Sequence, residues 1–324
     1  MDHRGRRQRL AQLLPDSLVL LLGHTATIRD YPADHHPFRQ DASFRYFTGF
    51  DEPDAALLLD TSSGESTLFG VEPDLEDVVW HGPRPPLAER AAAAGADAYR
   101  PIGDLPEALA GRRPLTLPAS RPSQRDSLEA LVEDPSPSED LVRAVAHLRE
   151  VKDTDEIIEI EQAIGRAAEL HAAAMAAITP GSEVAAVARR LGEVVAGSGG
   201  EWAYPLIFTT HGEVLHQFGH SGRMETGDLV LHDGGVTSDG GYASDITRTM
   251  PVSGSFDGRG EALYDIVIDA QSLALGMMRP GVAWRDVHHT VGRRVLEGFA
   301  DLGLCNGDLD NAAERGAYGL VFPH

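Results

Sequence analysis

The chain has 324 residues, 42% of them hydrophobic and 24% charged, which is enough for two domains with sizeable cores and argues against disorder. With 28 basic residues against 50 acidic ones its formal charge is -22, which repels phosphate backbones and anionic bilayers and so excludes nucleic acid and membrane as partners. The first apolar run, Leu18 to Leu22, is too short for a signal segment or a span, which predicts a cytoplasmic address, and the single cysteine, Cys305, leaves a metal only oxygen and imidazole ligands.

In chain order, a helical stretch over Arg6 to Leu14, strand-like runs at Ser17 to Leu22 and Ala55 to Leu59, and an Ala-rich helix from Leu87 to Ala94 alternate. That pattern predicts an α/β domain. The stretch Glu133-Asp-Pro-Ser-Pro-Ser-Glu139 reads as a linker, because two prolines among small and acidic residues continue neither a helix nor a central strand. Glu139 to Leu148 follows as a connecting helix, so the predicted domains are residues 1–136 and 150–324. Asp153 and Glu156 form a capping-box pattern that opens a long helix through Ile157, Ile160 and Ile164, ending before Pro180-Gly181.

A shift of about 100 positions aligns Glu161 with Glu261, Pro180-Gly181 with Pro280-Gly281, and Val187, Leu191, Val195 with Val287, Val291, Val295. Each copy reads as helix, Pro-Gly turn, helix, with apolar residues four apart on its second helix. The first copy runs on into strands and an Asp-rich hairpin. A second copy of equal length would run to about residue 356, past His324, so the reading is of a chain truncated at its C-terminus. It expects exposed apolar faces at Leu263 to Met278 and Val287 to Val295.

Asp228 to Asp233 and Tyr242 to Met250 are β-rich and flank Thr237-Ser-Asp-Gly-Gly241. A three-residue loop Ser238-Asp239-Gly240, with Gly240 left-handed, sets Asp233 directly across from Asp245. Two carboxylates at about 5 Å repel by roughly 3 kcal/mol at an effective dielectric of 20. Either both are solvated on an exposed hairpin, or one is protonated, or the pair shares a divalent cation. Gly234-Gly235 after Asp233 allows close approach to the backbone, as a site floor requires. Strand alternation turns His232 to the opposite face, as a packing residue. Of the other histidines, His216 in a Gly-containing loop and the terminal His324 are the site candidates.

The run DLVLHDGGVTSDGGYASDITRTMPVSG, preceded by Val214-Leu-His216, resembles the first metal-ligand block of the Xaa-Pro aminopeptidases, pita-bread metallopeptidases. The earlier YPADHHPFRQDASFRYFTGFDEPDAALLLD and Val78-Val-Trp-His-Gly-Pro-Arg84 resemble the same enzymes' N-terminal domain. The resemblance implies an N-terminal α/β domain followed by a pita-bread domain, incomplete here at its C-terminus. It implies two divalent ions, typically manganese, held by two Asp, one His and two Glu, with Asp233 chelating one metal and Asp245 bridging both. His216 corresponds to a second-sphere histidine, and His324 to the first His of a His-Gly-x-x-His tract whose ligand His lies four residues further on. The Asp-to-Asp spacing of twelve is one more than the usual pattern, which a hairpin loop or a bulge absorbs.

Further implications are release of the first residue from peptides with proline second, a homo-oligomer for the intact enzyme, and an inactive, metal-poor chain when only two of five ligands are present. Prolidase, restricted to dipeptides, is the alternative within the class. A non-catalytic pita-bread binding protein is the alternative outside it, and the retained Asp233, Asp245 and Asp-Ile-Thr-Arg-Thr tract weigh against that. The coding sequence after the His324 codon is the direct check on truncation.

Overall fold

The structure is a computed structural model that describes residues 1–322; His324 lies outside the described residues. The chain folds as two compact units, Met1–Glu159 and Ile160 onward, each of mixed helix and strand.

The strands of the first unit are β1 (Leu18–Leu22), β2 (Ala56–Asp60), β3 (Glu65–Gly70), β4 (Ala98–Pro101) and β5 (Leu115–Thr116), in sheet order β4-β3-β2-β1-β5. Pairing is antiparallel at β1–β2 and β2–β3 and parallel at β1–β5 and β3–β4. The unit's helices are α1 (His3–Leu13), α2 (Ala42–Thr48), α3 (Leu75–His81), α4 (Leu87–Ala93), α5 (Leu105–Leu109), α6 (Pro122–Leu131) and α7 (Glu139–Glu150). Both sheet faces are covered, which is why β1 and β2 are runs of leucine rather than alternating strands. Val19, Leu21 and Leu57 pack with Leu10, Phe44, Phe47 and Leu141, whereas Leu20, Leu58 and Phe69 pack with Leu105, Leu109 and Leu128 on the other side. The helix after the Pro-rich stretch is part of the first of these cores: α7 buries Leu141, Ala144 and Val145 there.

The chain enters the second unit along α8 (Thr154–Ala177), whose start is held by the reciprocal capping box: the Asp153 amide donates to Glu156 at 2.9 Å and the Glu156 amide to Asp153 at 2.9 Å. The buried stripe of α8 is Ala163, Ala167, Leu170 and Ala174, continued by Ile178 just past its end, while Ile157, Ile158 and Ile164 face solvent. Small residues let the helix lie close to what covers it. After α9 (Val184–Gly197) come β6 (Ile207–Thr209), β7 (Leu229–Asp233) and β8 (Thr247–Pro251), an antiparallel sheet in that order. Leu170, Ala174, Val187, Leu191, Phe208, Val230 and Met250 form its core.

The helix pair recurs at the spacing read from the sequence. α10 (Gly258–Met277) and α11 (Trp284–Asp301) end and begin 100 residues after α8 and α9, and the turn glycines Gly181 and Gly281 are both left-handed, with φ of 85° and 90°. Then follow α12 (Leu309–Glu314) and a short turn of 3₁₀-helix, Ala317–Leu320. One expectation is corrected here. The Val287–Val295 face is not open: Val287 and Val295 are buried, because α11 packs on α10 through Gly298 against Ile266 and receives the Tyr318 ring at Gly292. Val267, Ile268 and Leu275 of α10, and Met278 at its end, are exposed as expected.

Candidate metal centre

The ladder between β7 and β8 runs from Leu229 opposite Pro251 to Asp233 opposite Thr247, and a bridge from Thr237 to Ala243 continues the same register towards the turn. Asp233 therefore faces Thr247 and not Asp245, so the directly opposed pair expected from the loop is corrected to a diagonal one. The cause lies in the turn. Gly241, with φ of 80°, takes the left-handed position assigned to Gly240; its amide donates to the Ser238 carbonyl at 3.0 Å, and the Ser238 amide to the Tyr242 carbonyl at 2.8 Å. A shift of two residues preserves strand alternation, so both aspartates stay on one face. The tip is held from α8: Arg166 pairs with Asp239 at 2.6 Å, and the Asp239 amide donates to Gln162 at 3.1 Å. The Arg166 guanidinium holds the Asp239 carboxyl below the ordinary range.

Tyr204 brings the two carboxylates together. Its hydroxyl lies 2.6 Å from Asp233 Oδ1 and 3.0 Å from Asp245 Oδ1. The segment carrying it is docked along the hairpin: the Ala203 amide donates to the Gly235 carbonyl at 2.9 Å, the Thr237 amide to Glu201 at 2.9 Å, and Trp202 bridges Val236. Gly235 has to be glycine, since a Cβ there would stand 2.0 Å from the Ser244 carbonyl and 2.8 Å from the Tyr204 ring. Burial first, then the Asp233 and Asp245 carboxylates, drive the Tyr204 phenol upward, so it stays protonated. One phenolic proton can be donated to one carboxylate, nearest at Asp233. The second carboxylate oxygen then faces a phenol oxygen, an arrangement that a shared cation relieves. Hard oxygen donors converging this way fit a divalent ion. Among the described residues, no third His, Cys, Asp or Glu joins them in a cluster that could hold one.

His232 is fully buried on the reverse face, its ring 4.2 Å from that of His171 on α8 and edge-on to Phe208. Burial first, and His171 second, push His232 down to about 3. Burial also lowers His171. Both imidazoles are neutral at neutral pH and contribute packing. His216 sits exposed in the loop before β7, stacked on Phe218 at 5.8 Å, and is not brought to the aspartates. His220 contacts the Phe208 carbonyl at 3.3 Å. Tyr204 and His171 escaped the sequence reading: nothing in the spacing marks them, although Pro205 biases Tyr204 to extended backbone.

The model of the aminopeptidase P N-terminal domain matches residues 3–113, and that of metallopeptidase family M24 matches residues 159–324, half of the chain. A curated relative, the Xaa-Pro aminopeptidase of Escherichia coli strain K12, is 30% identical over 352 aligned positions, covering 100% of this chain and 78% of its own. The chain belongs to the Xaa-Pro aminopeptidase family. A probable Xaa-Pro aminopeptidase of Verticillium alfalfae is 31% identical over 94% of this chain and 68% of its own. Among solved structures, Pseudomonas aeruginosa aminopeptidase PepP superimposes with a TM-score of 0.86 at 29% identity, covering 98% of this chain and 77% of that one. Zinc-substituted E. coli aminopeptidase P in complex with product superimposes at 0.85, with 29% identity and the same coverage. The chain is thus a metallo-aminopeptidase with the pita-bread architecture.

Proposed function

We propose that Asp233 and Asp245 are two of the residues that would hold a divalent-metal centre, and that the protein releases the first residue from peptides with proline in second position. The observation that carries this is the convergence of both carboxylates on the Tyr204 hydroxyl, in a chain similar over its whole length to Xaa-Pro aminopeptidases. Manganese is the ion this reading takes over from the family resemblance, and hard oxygen donors suit it. A bound divalent ion would supply Lewis acidity toward the scissile carbonyl and lower the pKa of bound water. This chain's own part is to hold the carboxylates close and on one face. Tyr204 donates to Asp233, Gly235 keeps the space between the strands clear, and Arg166 with Gln162 fixes the hairpin tip. His216 is read as a second-sphere group that a bound peptide draws in.

The same reading includes a cytoplasmic homo-oligomer. It draws on the charge of -22 and on the exposed Leu75, Val79 and Trp80 of α3, an apolar surface that an assembly would cover. No described helix is long and apolar enough to cross a membrane.

Cobalt or manganese titration of the purified chain tests the reading. Binding should be lost in Asp233→Ala and Asp245→Ala, and Tyr204→Phe should weaken it by roughly tenfold, the low end for a group that orients a ligand. Binding undiminished in both aspartate variants would overturn the assignment.

A further inference from the structure

We propose that His171 is a positioning residue for the carboxylate pair, acting from the face of the hairpin opposite Asp233 and Asp245. The inference rests on the metal reading above and deepens it. Two backbone groups act on the His171 imidazole, and they belong to Gly234 and Ile246, the residues that directly follow Asp233 and Asp245. A single side chain thus faces the peptide units next to both aspartates. Those units are partners across the hairpin, with the Gly234 amide donating to the Ile246 carbonyl at 3.2 Å. The regular ladder ends one residue earlier, at Asp233 opposite Thr247.

Neither ring nitrogen of His171 is fully engaged: both are buried without an aligned partner, as are those of His232 stacked against it. A buried donor left unmatched is unfavourable, which gives the imidazole N–H a reason to close on one of those carbonyls. Burial keeps His171 neutral, with one nitrogen protonated and able to donate. Gly234 is closely packed from this side as well: a Cβ there would meet His232 Nε2 at 2.9 Å and Leu170, the neighbour of His171 on α8, at 3.2 Å. The helix that delivers His171 also grips the tip of the same hairpin through Gln162 and Arg166. Tyr204 from one side and α8 from the other therefore fix the strand pair, and with it the separation of the carboxylates.

The test compares His171→Leu, which removes the donor, with His171→Gln, which keeps an N–H at similar reach, in the 324-residue chain. Cobalt titration and manganese-induced water proton relaxation both read millimolar affinities, so weak binding is measurable. His171→Leu should weaken cobalt binding by about 10–100-fold, the usual range for a group that orients a ligand. It should also speed amide exchange at Gly234 and Ser244 without metal, and His171→Gln should restore most of both. Stability without metal is measured alongside. A merely structural role would lower the melting temperature and leave the affinity and the cobalt spectrum unchanged, and that result overturns the inference. If the Leu variant does not fold, His171→Met and His171→Gln carry the same comparison. Retained affinity in His171→Leu with loss in Asp233→Ala sinks this inference alone. No cobalt binding by the unsubstituted chain sinks the metal reading and this inference together.

Discussion

The two helix pairs of the second unit are built alike and covered differently. α9 and α11 are equivalent: Val187 and Val195 are buried in one, Val287 and Val295 in the other, because each helix is satisfied by its own neighbourhood within the fold. α8 and α10 diverge. Ala167 is 0% exposed and its counterpart Val267 58%; Ile178 is 9% exposed and Met278 49%. The three strands that follow the first pair cover α8, and α10 instead borders an open groove of about 760 Å³ that begins at Asp245 and passes Arg248, Tyr264 and Ile268. Apolar spacing on a helix thus states a requirement for cover, and only the packing shows whether it is met. The site follows the same division, since the face of the hairpin packed on α8 positions the aspartates.

The largest test of that contrast is a cavity. Phe208→Ala under the sheet should lower the unfolding free energy by about 3–5 kcal/mol and Leu170→Ala by about 2–5 kcal/mol. Leu275→Ala on the open face of α10 should change it by under about 0.5 kcal/mol. Urea titration reads all three, and a cost at Leu275 matching that at Leu170 would break the comparison.

Acid probes the covered half next. His171 and His232 are buried under the sheet, whereas the position matching His171 in the second pair is the exposed Gln271. In the unfolded chain His232 takes a proton near the ordinary 6.5, and in the folded chain only near about 3. The stability it contributes is therefore fully present above pH 6.5 and is lost as pH falls from there toward 3. The slope of unfolding free energy against pH in that window should flatten in His232→Leu. An unchanged slope would show that the imidazole is not held neutral.

A smaller effect sets Gly192 against Gly292, again 100 positions apart. A Cβ at Gly292 would stand 2.5 Å from the Tyr318 ring, so Gly292→Ala should cost about 1–3 kcal/mol through overpacking. A Cβ at Gly192 meets nothing within 4 Å, so Gly192→Ala should raise stability by about 0.5–1 kcal/mol through helix propensity. Melting temperatures of the two variants moving in the same direction would show that the helix pairs are packed more alike than their exposures indicate.

Much of this protein was legible in its residues because the signals are local. The capping box at Asp153 and Glu156, the Pro-Gly turns, the leucine runs of β1 and β2, and the reverse-facing His232 each follow from neighbours a few positions away. The family, too, was readable from contiguous words such as Asp-Ile-Thr-Arg-Thr after Asp245. Where two equal choices lay side by side the sequence could not decide: Gly240 and Gly241 are both fit for a left-handed turn, and contacts of Arg166 and Gln162 with the tip accompany the one adopted. Which face of α8 is buried was not legible either, since Ile157 and Ile164 are more hydrophobic than Ala163 and Ala167, yet close approach selects the smaller side chains. Tyr204 is 29 residues from Asp233 and 41 from Asp245, and His171 is further still. Residue type and local spacing determined which carboxylates form the pair. Only the tertiary fold decided that they lie diagonally, meet at one hydroxyl and rest on a buried imidazole, because those relations join segments that have no neighbourhood in the chain.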